Sequence, residues 1–335
     1  MMRIAIDAMG GDCGPRAVIT GAFAAARDLS IGLTLVGRKA EVRAEVDRLQ
    51  TKPKVNVIIA DADDVIGMDE PPSAALRRKP RASIRIAAEV VRRGDAEALF
   101  SAGSTGATVV ASCGAFGMLE GVGRPALAAT VPTTRGTAVL LDAGANATCR
   151  PRHLVQFAVM GAVYARVAAA IERPRVGLLS TGAEATKGNI LTREAHSLLK
   201  GAGVNFIGNV EAHEVYRGVA DVIVCDGFTG NVALKISEGL AEMMNGMLGD
   251  EIVPSSSAAG LLAARRVLQR VRRRIDYSEY GGAPLLGVAG LVLVGHGRSS
   301  ARAVRNAVTM AHRFARHDIV GRIGREIAAQ GAKRT

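Results

Sequence analysis

Short apolar runs alternate with segments of helical spacing along almost the whole chain, and most of the runs stop at Gly, Asp or Ser. The runs occupy residues 3–7, 33–36, 55–59, 97–102, 137–142, 175–180, 204–208, 221–226 and 291–295. Helical periodicity covers 15–28, 39–50, 82–93, 105–118, 151–172, 189–201, 231–248 and 299–317. Runs of Val, Ile and Leu without polar alternation mark strands covered on both faces. Helices between such strands return the chain to the same edge, so the expected fold is α/β with a mostly parallel sheet. In such sheets a ligand binds beyond the carboxyl ends of the strands, which is where the glycine-rich turns fall. No internal repeat or clear linker divides the chain, and residues 1–335 are read as one domain with 231–276 as a protruding helical segment.

Composition narrows the function classes. No run of 18 uncharged apolar residues exists, and Asp7 breaks the apolar start too early for a signal peptide. The four cysteines (Cys13, Cys113, Cys149, Cys225) form no CxxC pair, so neither a disulfide framework nor a zinc site is expected. Together these point to a cytoplasmic protein. A net charge of +12 favours an anionic partner, with a generally basic proteome as the equal alternative. Aromatics make up 3% of the chain, too few for stacking on single-stranded nucleic acid.

Four strand ends carry small polar turns: DAMGGD (7–12), SAGSTGA (101–107), STGAEATKG (180–188) and CDGFTGN (225–231). Gly with Ser or Thr lets backbone N–H groups face outward, and a helix that starts at once adds its own unpaired N–H groups and dipole. Four such turns on one sheet favour a phosphate or carboxylate ligand. There is no GxxxxGK[ST], no GxGxxG after the first strand and no GxSxG, which disfavours P-loop, dinucleotide and serine-hydrolase chemistry. Cys225 is read as a small buried hydrophobe, because the adjacent Asp226 would raise its pKa. His296, between glycines after a late strand, is a candidate general acid or base, or a structural hydrogen-bonder. Lys187 could neutralise a phosphate or lie solvated on the surface.

One segment departs from the alternation. Over 258–276, Leu261, Ala264, Leu268, Val271 and Ile275 form a helical stripe, and Arg265, Arg266, Arg270, Arg272, Arg273 and Arg274 occupy the rest. This is a basic amphipathic helix, suited equally to packing on a partner helix and to an anionic membrane surface. Leu261, Leu268, Val271, Arg272, Arg273 and Arg274 are its candidate membrane contacts.

The blocks IDAMGGD, SAGSTGA, RPALA, LDAGAN, FIGNVE, DGFTGNVALK and YGGAPLLGVAG followed by HGRS resemble, in order, the bacterial phosphate acyltransferases of phospholipid synthesis. The resemblance implies a three-layer α/β/α fold related to phosphotransacetylases and to the isocitrate-dehydrogenase type. It implies formation of long-chain acyl phosphate from acyl-acyl carrier protein and inorganic phosphate, with no cofactor or metal. It further implies a homodimer at the membrane surface, whose product feeds a membrane glycerol-3-phosphate acyltransferase. Ser104, Ala212 and Thr148 depart from residues usual in that family. On this reading phosphate sits among Gly103, Ser104, Thr105, Gly106 and Gly227, Thr229, Gly230, with Gly10 and Gly11 in a further anion-facing turn. Lys187 assists phosphate, Asn231 and the Ser104 and Thr105 hydroxyls donate near the carbonyl, and Asp226 or His296 manages the proton. Asp7 and Asp12 organise the first turn by accepting backbone N–H bonds. The rivals are a phosphotransacetylase-like enzyme using acyl-CoA and a non-catalytic basic lipid-binding protein.

Overall fold

The computed structural model describes residues 1–49, 55–252 and 281–332. Its strands are β1 (Arg3–Asp7), β2 (Gly32–Gly37), β3 (Val57–Asp61), β4 (Ala98–Ser101), β5 (Ala126–Thr133), β6 (Gly136–Leu141), β7 (Arg175–Ser180), β8 (Asn205–Glu211), β9 (Val222–Val224), β10 (Ala283–Leu286) and β11 (Val292–Val294). The helices are α1 (Gly14–Leu29), α2 (Lys39–Leu49), α3 (Pro72–Arg78), α4 (Ser83–Arg92), α5 (Thr105–Phe116), α6 (Pro151–Ala169), α7 (Ile190–Leu199), α8 (Gly227–Ile252), α9 (Ala301–Arg316) and α10 (Ile319–Ala332).

All the described strands join one sheet in the order β3-β2-β1-β4-β11-β10-β5-β6-β9-β7-β8. Successive residues of a strand face opposite layers. Ile4, Ile6 and Phe100 belong to the core layer that holds α1, α6 and α9, whereas Ala5 and Leu99 belong to the layer of α3, α4 and α5. The result is an α/β/α sandwich with a mostly parallel sheet, as the sequence predicts.

The alternation does not reveal β5 and β10. Their sequences, ALAATVPT and APLL, are rich in Ala and each contains a Pro, a weak strand signal. Yet these two strands set the architecture. β10 runs antiparallel to β11 and β5, and β5 antiparallel to β6, so the parallel blocks on either side run in opposite directions. The register brings their carboxyl ends together. Ser101 of β4 lies beside Val294, which faces Ala283 of β10. Two residues along β10, Leu285 faces Leu127, and the next β5 residue, Ala128, faces Leu141 at the end of β6. The two blocks therefore end within about one residue, ~3.3 Å, of the same height, and their terminal loops border a single cleft.

Helix α8 begins four residues before the expected start, because Asp226 caps it. The Asp226 carboxylate accepts the Thr229 N–H at 3.0 Å and the Thr229 hydroxyl at 2.7 Å. Along its outer side Phe228, Val232, Ile236, Leu240, Met243 and Met247 are exposed. The basic segment 258–276, with its candidate membrane contacts, lies outside the described residues.

Candidate active site

The cleft between the two blocks encloses about 460 Å3. One wall comes from the loops after β4 and β11, with Gly103, Thr105, His296 and Ser299; the other comes from the turn after β6 and from α8, with Gly144, Asn231, Lys235 and Glu238. Leu127, Ala129, Leu234 and Val294 supply apolar lining.

The second wall is built on Asp142. Its side chain, fully buried, accepts backbone N–H groups from Leu127 (2.9 Å), Gly144 (3.1 Å), Ala145 (2.9 Å) and Asn146 (2.8 Å), and the Asn146 amide at 2.7 Å. Burial pushes its pKa up against the pull of these donors. The first turn of α8 rests on this loop. A Cβ on Gly227 would stand 2.6 Å from the Asn146 carbonyl, and one on Gly230 would overlap the Asp142 carbonyl. Gly227 and Gly230 thus let the helix approach closely, and that approach carries Asn231 and Lys235 into the cleft. Lys235 is the residue that turn-by-turn reading of the sequence passes over. The signal was its i,i+4 spacing from Asn231, which puts both on one helix face.

Across the cleft, the His296 Nδ1 accepts the Arg298 N–H at 3.1 Å. A neutral ring with that bond carries its proton on Nε2, and Nε2 lies 3.3 Å from Lys235 Nζ. Burial and the Lys235 charge hold the His296 pKa below its ordinary value, which favours the neutral ring. The ammonium also donates to Glu238 at 2.7 Å. Two donors from opposite walls therefore converge on one point, where an anion would accept from both.

The other residues singled out from the sequence fall into place differently. Thr105 lines the cleft, but the Ser104 hydroxyl caps α5 by accepting the Ala107 N–H at 3.4 Å. A Cβ on Gly106 would meet Pro72 Cγ at 2.7 Å. Gly10 and Gly11 do not line the cleft. A Cβ on Gly10 would lie 2.6 Å from Gly103 N, and one on Gly11, whose φ is +90°, would lie 2.8 Å from the Gly297 carbonyl. They are spacers between loops. Asp7 is the acid that organises this turn, accepting the Ser101 hydroxyl at 2.7 Å and the Met9 N–H at 3.3 Å. Asp12 instead lies at the cleft, with no side-chain hydrogen bond to the turn among the described residues. Asp226 is the cap of α8, and Thr229 answers it. Lys187 does not line the cleft either; its loop follows β7, which β9 separates from β6. Cys225 is buried, and burial with the neighbouring carboxylates pushes its thiol pKa well up.

Comparison with known proteins agrees with this layout. A family model described as "Fatty acid synthesis protein" matches residues 2–322. A phosphate acyltransferase from Geobacter sulfurreducens is 44% identical over 98% of this chain and 95% of its own length. One from Pelotomaculum thermopropionicum is 49% identical over 92% of this chain and 90% of its own. Among solved structures, a phosphotransacetylase from Streptococcus pyogenes superimposes with a TM-score of 0.66 at 18% identity, covering 94% of each chain. The EutD phosphotransacetylase from Staphylococcus aureus superimposes with 0.57 at 15% identity, covering 94% of each chain. The structural likeness is one of fold, whereas the sequence relationship runs the length of the chain. The chain belongs to the fatty acid synthesis protein family, together with these phosphate acyltransferases.

Proposed function

We propose that this acyltransferase moves a long-chain acyl group from the thioester of acyl carrier protein to inorganic phosphate, supplying acyl phosphate to phospholipid synthesis. The observation that carries the reading is the convergence of Lys235 and His296 from opposite walls of a cleft with an apolar flank. An oxygen of HPO4²⁻ attacks the thioester carbonyl carbon, the C–S bond breaks, and the phosphate proton ends on sulfur to give the free thiol. Phosphate is itself the nucleophile, so the protein has to align the two substrates and stabilise developing charge. Lys235 holds phosphate against its own repulsion for the carbonyl oxyanion. Asn231, on the same helix face, donates toward the carbonyl. His296 donates its Nε2–H to the bound phosphate, and its lowered pKa keeps the ring neutral in that tautomer at neutral pH.

The surplus of basic residues suits an acidic carrier protein, whose approach it would steer. The exposed apolar side of α8 leads toward the basic segment 258–276, and this continuity supports a homodimer that works on an anionic membrane surface from the cytoplasm, beside a membrane glycerol-3-phosphate acyltransferase. Among the described residues no helix is long and apolar enough to cross a membrane.

The test is acyl phosphate formation, trapped with hydroxylamine, from palmitoyl-acyl carrier protein and phosphate beside palmitoyl-CoA and phosphate. Product from the carrier protein is expected. Product from CoA alone transfers the chain to the phosphotransacetylase reading, and no product from either removes the acyltransfer assignment.

A further inference from the structure

Three buried serine hydroxyls (Ser112, Ser180, Ser299) have no hydrogen-bond partner among the described residues. A buried hydroxyl without a partner is costly, and in a native protein it calls for an explanation. Ser112 lies within α5 and Ser180 ends β7, away from the cleft; Ser299 alone of the three lines it. Only 2% of Ser299 is exposed, so the hydroxyl is nearly enclosed at the edge of the cleft. Its backbone is fixed, since the Ser299 N–H donates to the His296 carbonyl at 2.9 Å. Gly295 packs closely beside it: a Cβ there would stand 3.1 Å from Ser299 Oγ and 2.9 Å from the Phe100 ring.

Ser299 precedes the amino end of α9. The next residue, Ser300, caps that helix by accepting the Ala303 N–H at 3.2 Å, and no acid occupies the first turn. The 16-residue helix thus directs its positive end toward the cleft, where Ala303 of its first turn is part of the lining. The same lining holds Lys235 and His296. Helix end, orphan hydroxyl, ammonium and imidazole N–H are all donors, and they border one volume.

The geometry points to the amino end of α9 as the phosphoryl subsite, with Ser299 as a substrate-contacting residue whose Oγ–H donates to a phosphate oxygen. This deepens the acyltransfer reading, and rests on it only for which phosphoryl group binds. Two sources share the chemistry: the attacking inorganic phosphate, assigned here, and the phosphodiester of the carrier protein's prosthetic arm.

The experiment is calorimetric titration of the full-length Ser299→Ala protein with inorganic phosphate, followed by steady-state kinetics in each substrate. Dissociation constant and KM for phosphate are expected to rise by about tenfold, the effect of one lost hydrogen bond to a charged group. KM for the acyl-carrier thioester stays unchanged. The melting temperature without phosphate stays level or rises, because the mutation removes an unsatisfied group, which a structural serine would not do. Ser299→Cys, close in size but a weak donor, should reproduce the phosphate defect. An unchanged phosphate Kd overturns the assignment. So does a rise in thioester KM alone, which would give the hydroxyl to the carrier's phosphodiester. If the native protein makes no acyl phosphate the acyltransfer reading fails, while phosphate calorimetry still decides the subsite.

Discussion

Two strand ends use the same residue for different ends. Asp7 closes β1 and Asp142 closes β6; both carboxyls are buried, and burial pushes both pKa values up. Asp7 holds a hydroxyl from the neighbouring strand, and the glycines after it fill the gap between two other loops. Asp142 gathers four backbone N–H groups and an amide, and a helix is seated on the loop it holds. The first turn spaces one wall of the cleft; the second delivers functional side chains to it. A strand-end Asp followed by Gly is therefore a sign of organised backbone, and its worth to the site depends on what rests upon that backbone.

The contrast breaks most visibly on deleting the two acids. Asp142→Ala strands several buried donors at once and should cost roughly 4 kcal/mol, against about 2 kcal/mol for Asp7→Ala. Denaturant titration reads both, and equal losses would erase the distinction.

Within α8 the comparison can be sharpened by two glycines. Gly230→Ala forces the helix off the Asp142 carbonyl and should lower kcat/KM by about 100-fold while the far-UV spectrum stays native. Gly239 has open space around its missing Cβ, so Gly239→Ala should keep activity and gain about 0.5–1 kcal/mol of stability. Similar kinetics in the two variants would show that close seating of the helix is unimportant.

A smaller effect concerns pH. Folding lowers the His296 pKa, so the unfolded chain takes up that proton first. The stability this group contributes is present above about pH 6.5 and is lost as pH falls below it. In the pH profile of kcat/KM the acid limb should lie below pH ~6.5. Lys235→Met removes one cause of the shift, and the limb should move to higher pH. A limb that stays in place would separate the two side chains functionally.

The layers and most strands were legible because buried parallel strands leave long Val, Ile and Leu runs. The central reversal was not. β5 and β10 carry Ala and Pro where a strand signal needs branched residues, and their pairing depends on contacts over 150 residues apart, such as Leu127 with Leu285. The same blind spot governed the site. His296, Thr105 and Asn231 could be picked out from local motifs and do meet in the cleft. Lys187 could be picked out too, yet which loops meet is decided by strand order, and β9 stands between. Asp226 looked like a proton carrier, but an Asp three residues before Thr229 at a helix start is first of all a cap. Lys235 went unnoticed because its meaning comes from His296, 61 residues away.

The most direct measurement is phosphate saturation kinetics of Lys235→Met and Lys187→Met side by side, at fixed acyl-carrier protein. If the cleft between the two blocks holds the attacking phosphate, KM for phosphate rises by about tenfold or more in Lys235→Met and stays at the native value in Lys187→Met. The reverse pattern would place phosphate at the β7 turn and contradict the assignment of the cleft.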